Sequence, residues 1–263
     1  MPVSAPDKTI IAKRFSDRAA TYDSVTPVQT QLWQSLAAQI GRHAFSGNPA
    51  DILELGCGTG SLTSWLHRTH PAARVTALDL APEMVAATSR KCPDVQSVVA
   101  DAEEYVQQVQ GSWDLICSSA TVQWFSRPGE TLQHCQKLLR PGGLLAIGTF
   151  GDATFHELRE AFAAVEPEGD RVLHPPATTF WRSIFPEADV QESKVVLNFP
   201  SVRAFLASVQ QAGANSASRG PARPLHRSVY AAMLKEYERR FAAPSGGITA
   251  TYHLITLCVQ PVP

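Results

Sequence analysis

Glu54-Leu55-Gly56-Cys57-Gly58-Thr59-Gly60-Ser61 is the stretch that decides how this 263-residue chain is read. It ends a short apolar run, Asp51 to Leu55, and precedes a helix-like segment from Leu62 to Arg68. The glycines therefore fall at a strand-to-helix turn. Glycine lets the backbone turn tightly there and approach a ligand with no Cβ in the way. Such a turn alone is a weak signal, because a packing turn or any of several nucleotide-binding families would use it. The spacing is more informative. Dinucleotide sites favour GxGxxG, with the pyrophosphate over the helix N-terminus. Here the third glycine comes one residue early, which favours a ligand without phosphates.

Outward from the turn, four more short apolar runs begin at Arg74, Val95, Trp113 and Leu144. Helix-like segments, Glu83 to Lys91 and Thr131 to Leu139 among them, lie between the runs. Alternation of this kind builds βαβ units and a parallel sheet. Val195 to Phe199 and Thr251 to Val259 complete a seven-stranded, mostly parallel, doubly wound Rossmann-like α/β fold. Ile10, Ile11, Phe15 and Ala19, then Val28, Leu32, Leu36 and Ile40, predict two N-terminal helices. Phe155 to Val165 and Val202 to Gln211 predict two more. Gly169 to Phe185, rich in Pro and aromatics, is expected to be irregular, and Gly213 to Pro224 to be a mobile loop.

Asp79 ends the second strand, 19 residues beyond Gly60, where a carboxylate accepts ribose hydroxyls in nucleotide folds. Asp101-Ala102-Glu103 follows the third strand, placed to accept from an adenine amino group. Either Asp alone would serve as well as a helix N-cap. Together with the glycines they put three strand ends into one crevice at the carboxyl edge of the sheet. Composition sets outer limits. Twenty-three basic against 24 acidic residues, net −1, leave no footprint for duplex nucleic acid. Five scattered cysteines without a CxxC pair suggest neither zinc nor a disulfide framework and fit a reducing cytoplasm. His67 and His70 lack further ligands nearby, so no metal is expected. Met1 to Lys13 has no signal-peptide core, and no run reaches membrane-spanning length.

Residues 50–150 resemble the class I S-adenosylmethionine-dependent methyltransferases. The resemblance implies that Gly56, Gly58 and Gly60 flank the methionine part of S-adenosylmethionine, that Asp79 holds the ribose, and that Leu80 and Ala102 border the adenine. Asp101 would bind the exocyclic amine. Ala12-Lys-Arg-Phe15, Ala19, Tyr22-Asp23 and Gln29 are similar to the N-terminal helices of the malonyl-acyl-carrier-protein O-methyltransferases of biotin synthesis. Asp114 to Trp124, Leu139 to Gly143, Glu157-Leu158-Arg159 and the closing Thr251-Tyr252 are similar as well. This narrower resemblance adds Tyr22, Gln29 and Ser118 to the cofactor set, which Glu54 of the glycine motif and Glu103 beside Asp101 complete; Tyr22, Gln123 and Trp124 are the candidates for catalysis. Tyr22, carried on the N-terminal helix, would close over the methionine end; an ordinary core aromatic is the equal alternative. A packing role for Trp124 is equally open. The organisation implied is one domain over 1–263, with a helical cap (1–45), a cofactor-binding core (50–150) and a substrate-lid region (165–248).

The implied reaction is methylation of the free carboxylate of a malonyl thioester on acyl-carrier protein. A carboxylate is already nucleophilic at neutral pH, so no Ser-His-Asp or Cys-His arrangement is needed. An Arg making bidentate contact best orients the acceptor carboxylate, and Arg171, Arg182 and Arg219 are candidates. Arg219, Arg223 and Arg227, with Lys235, Arg239 and Arg240, form the densest basic stretch and would meet an acidic carrier. A solvated helix face, with Glu236 pairing to its arginines, fits that stretch equally. Two other readings stay open: a methyltransferase for a free small acid or other metabolite, and a cofactor-binding module without turnover.

Overall fold

The computed structural model describes residues 6–43, 45, 47–169, 171–213 and 225–261. Strand β1 (Asp51–Leu55) is buried along its whole length between β2 (Arg74–Asp79) and β4 (Trp113–Ser119). A strand covered on both faces reads as a continuous apolar run, which is why this element was legible. Beyond them lie β3 (Gln96–Val99), β5 (Leu139–Phe150), β7 (Ile248–Val259) and β6 (Asp189–Phe199), in the order β3-β2-β1-β4-β5-β7-β6. β7 runs antiparallel to both neighbours and every other pairing is parallel. The chain winds outward from β1 to β3, then returns to β4 on the other side of β1. This topological switch point is where such sheets bind ligands.

Helices α3 (Pro27–Ile40), α4 (Ser61–Thr69) and α5 (Pro82–Lys91) cover one face, and α6 (Ala102–Gln108), α7 (Pro128–Lys137) and α9 (Thr178–Ile184) the other. A third apolar cluster joins α8 (His156–Val165), α10 (Val202–Gln211) and α11 (Arg227–Arg240) to the end of β7 and to Val28 and Leu32 of α3. Helix α1 (Lys8–Arg18), capped by Asp7 accepting from the Ile10 amide, packs against α5. No helix among the described residues is long and apolar enough to cross a membrane.

Several elements differ from the sequence expectation. Residues 169–185 are not irregular throughout, because α9 forms around Trp181, which is 1% exposed. Tyr22 is not on the N-terminal helix. That helix ends at Arg18, and Tyr22 opens a separate one-turn helix, α2 (Tyr22–Val25). Strands β5, β6 and β7 run longer than their apolar stretches. β6 begins with the polar segment Asp189 to Lys194, which reads as a strand only because β7 pairs with it from Asp189↔Cys258 to Phe199↔Ile248. Most of the expected mobile loop, residues 214–224, lies outside the described residues.

Candidate active site

Two clefts meet at the carboxyl edge of the sheet. The first, about 1050 Å³, lies over the glycine loop; the second, about 800 Å³, lies beneath α2, α10 and the end of β7. Phe15, Tyr22, Gln29, Ala120 and Trp124 line both. The Phe15 ring meets Tyr22 at 6.2 Å and Trp124 at 5.9 Å, both edge-on, so an aromatic wall stands at the junction.

The three loop glycines have different duties. All have left-handed φ: +76° at Gly56, +54° at Gly58 and +82° at Gly60. A Cβ on Gly56 would stand 2.1 Å from Thr121 Oγ1, and one on Gly60 would stand 2.9 Å from Thr88 Oγ1. Those two permit close packing. Gly58 has nothing within 4 Å of its would-be Cβ and lines the first cleft, so its bareness faces open space there. One loop thus both packs against its neighbours and opens onto the cleft.

Asp79 braces that loop: its carboxylate accepts from the Gly58 amide (2.9 Å) and the Ala81 amide (2.8 Å). The second bond also serves the α5 start, where Ala81 has no capping side chain. Burial raises the Asp79 carboxyl above the usual carboxylate range, against the pull of those amides. Glu54 is 1% exposed and accepts from Thr63 Oγ1 at 2.6 Å. Burial, with a smaller push from Asp79, raises its carboxyl to about 8. Tyr22 faces Asp79 and Asp23: burial, then these two carboxylates, hold its phenol well above the ordinary range, so it stays neutral. Asp23 pins α2 down by accepting from Thr59 Oγ1 and from Lys91 Nζ at 3.1 Å.

Asp101 caps α6 through the Glu103 amide and lines the first cleft with Leu80 and Ala102; Lys8 Nζ of α1 donates to both Asp101 and Glu103. Glu103 itself does not line the cleft. It accepts from the Ser126 and Arg127 amides, both at 2.8 Å, and so ties the chain entering α7. Ser118 is likewise turned away: fully buried, it donates to the Leu55 carbonyl at 2.7 Å, and Ser119, Ala120 and Thr121 line the cleft instead. Ala120, at φ +54°, is one of two left-handed non-glycine residues in the described chain. Its position at the junction of the clefts was missed in the sequence. Gln123 donates to the Ala120 carbonyl at 2.7 Å and lines the second cleft.

The second cleft is largely apolar, with hydroxyls from Thr154, Ser208 and Tyr252. Burial, offset in part by Ser208, raises the Tyr252 phenol to about 12. Its neighbour Thr251 donates to buried Glu157 of α8 at 2.5 Å, anchoring the strand that presents Tyr252. Of the expected acceptor-binding arginines, Arg171 pairs with Glu166, Arg182 lies on α9 and Arg227 is exposed at the α11 start. None of the three lines either cleft, and Arg219 and Arg223 lie outside the described residues. Arg239 and Arg240 pair with Glu236, as a solvated helix face would have it.

Residues 53–147 match a family described as a methyltransferase domain. Over 259 residues, 95% of this chain and 96% of the relative, it is 39% identical to the malonyl-[acyl-carrier protein] O-methyltransferase of Anoxybacillus flavithermus. The chain belongs to the malonyl-acyl-carrier-protein O-methyltransferase family. A second member, from a Paenibacillus species, is 36% identical over 95% of this chain and 98% of its own length. Among solved structures, a Bacillus halodurans protein assigned as a methyltransferase shares the fold, with TM-score 0.58 and 13% identity over 86% of this chain and 97% of that one. Membership in the family makes the protein an enzyme that takes S-adenosylmethionine as methyl donor. The first cleft fits that cofactor: the open Gly58 face, the braced Asp79 carboxylate, and in Glu54 a buried acid with a hydroxyl partner but no cation.

Proposed function

We propose that this enzyme methylates the free carboxylate of malonyl-acyl-carrier protein, giving its methyl ester for biotin synthesis. The observation that carries the reading is the shared aromatic junction between a cofactor-fitting cleft and a mostly apolar acceptor cleft, in a chain 39% identical to a protein of that name.

S-adenosylmethionine supplies an electrophilic methyl on a sulfonium; a carboxylate oxygen forms the new bond to it as the C–S bond breaks and its electron pair stays on sulfur. No proton moves, so the enzyme needs neither a general base nor a covalent intermediate. Its task is to hold the donor and acceptor atoms in line and dry. Gly58 would leave the bound cofactor room at the loop, Asp79 would accept hydrogen bonds from its ribose hydroxyls and Asp101 would accept from its adenine amine. Glu54 would receive the methionine ammonium, and Gln29, which lines the same cleft, would help hold that end. Tyr22 and Trp124 form the wall through which the methyl passes and keep water from it. Gln123, fixed by the Ala120 carbonyl, orients the acceptor. Five free cysteines, four of them buried, support a cytoplasmic location.

Labelled methyl transfer to malonyl-carrier protein, run beside free malonate and malonyl-coenzyme A, tests the reading. Preference for the carrier-bound form is expected. Equal or faster transfer to a free acid would replace it with a small-molecule methyltransferase.

A further inference from the structure

A malonyl acceptor brings a negative charge into a cleft lined, among the described residues, by no Lys, Arg or His. Moving an ionised carboxylate from water into such a place is costly unless positive charge meets it. Since no cationic side chain lines the cleft among the described residues, compensating charge has to act from behind its wall.

Arg159 of α8 has that placement. Its Nη1 donates to the carbonyls of Thr154 and, at 3.4 Å, Leu173, while Nη2 donates to the carbonyl of Asp152. Thr154 and Leu173 both line the acceptor cleft. Arg140 and Arg171, by contrast, are paired with carboxylates, Arg140 with Asp51 and Asp114 and Arg171 with Glu166. Arg159 instead gives its hydrogen bonds to main-chain oxygens, with Asp152, Glu157 and Glu160 felt only at longer range. Burial pulls its guanidinium below the usual range, so the charge is partly withdrawn from water.

Building on the proposed acceptor, we propose that Arg159 is the positioning residue that makes this cleft select a carboxylate-terminated acyl group. It sets a positive potential at the Thr154–Leu173 wall and holds these two wall segments at one spacing. The acceptor's carboxylate is thus met by positive charge across that wall.

The test is binding of malonyl- and butyryl-carrier protein to the enzyme saturated with S-adenosylhomocysteine, by calorimetry. The two acyl groups are similar in size and differ in charge. Wild type is expected to favour malonyl by at least about ten-fold, and R159Q to lose most of that preference. Butyryl binding should stay within about two-fold, and R159K should recover much of the preference because it restores the charge. A plain wall brace would instead weaken both acyl groups together, and that result overturns the proposal. Should R159Q not fold, R159H is read at pH 5.5 and 8.5, where preference must appear only at the lower pH; indifference to pH overturns the proposal. Wild-type preference retained in R159Q sinks this inference alone. Absence of preference in wild type sinks the acceptor reading and this inference with it.

Discussion

Glu54 is a buried acid with a hydroxyl partner and, among the described residues, no cation within reach, and the ammonium proposed for it belongs to the cofactor. Its carboxyl is raised from 4.5 to about 8, chiefly by burial. A group that holds its proton more tightly when folded stabilises the fold at low pH, and that contribution is lost as pH rises from about 4.5 through about 8. Thermal midpoints of the free protein, measured against E54Q from pH 5 to 9, should therefore fall by several degrees more in the wild type. The sign matters, since an acid held by a cation would show the opposite slope. With S-adenosylhomocysteine bound, the ligand's ammonium favours the ionised form and the difference should shrink. The glycines divide in the same manner. G56A, which drives a methyl into Thr121, should lower the melting temperature by several degrees. G58A, with open space around it, should cost stability only the ~1–2 kcal/mol of a left-handed alanine. Its added methyl should weaken S-adenosylhomocysteine binding about ten-fold or more, read by titration calorimetry.

Short elements show where local sequence stops being decisive. Helix α9 is seven residues long, has no side-chain cap and follows two prolines. What holds it is Trp181, packed with Phe185 and Ala188 in the core cluster over β4 and β5. W181A should destabilise the protein by ~3–5 kcal/mol in denaturant unfolding while leaving S-adenosylhomocysteine affinity nearly unchanged, since the residue lines neither cleft. The glycine loop and Asp79 were legible because their duties are local: a turn, a strand end, a spacing. Ser118 and Ser119 were not separable. Side chains alternate along a strand, and the β4–β5 register shifts between Trp113 and Leu115, so which serine faces the cleft depends on pairing rather than on sequence. Arg159 was quoted within a motif without a role, because its three carbonyl partners come from two loops that only the tertiary fold brings together. Glu103 was assigned to the cofactor by proximity to Asp101 and proved to be holding the start of α7.

At the scale of the whole molecule, the N-terminal segment closes both clefts. Phe15 of α1 and Tyr22 of α2 line the two together, Lys8 joins α1 to Asp101, and Asp23 joins α2 to Thr59 of the glycine loop. The wall of the acceptor cleft is thus assembled on the cofactor's own cradle. Carrier protein should bind several-fold more weakly to the free enzyme than to the S-adenosylhomocysteine complex, a difference calorimetry can read directly. Ordered turnover is the corresponding expectation, with the donor entering first and the spent donor leaving last, and product inhibition by S-adenosylhomocysteine competitive with S-adenosylmethionine would bear it out. Turnover in a cell is then governed by the ratio of fresh to spent donor rather than by the amount of either. An enzyme that works in that order should slow of its own accord whenever the clearance of S-adenosylhomocysteine falls behind.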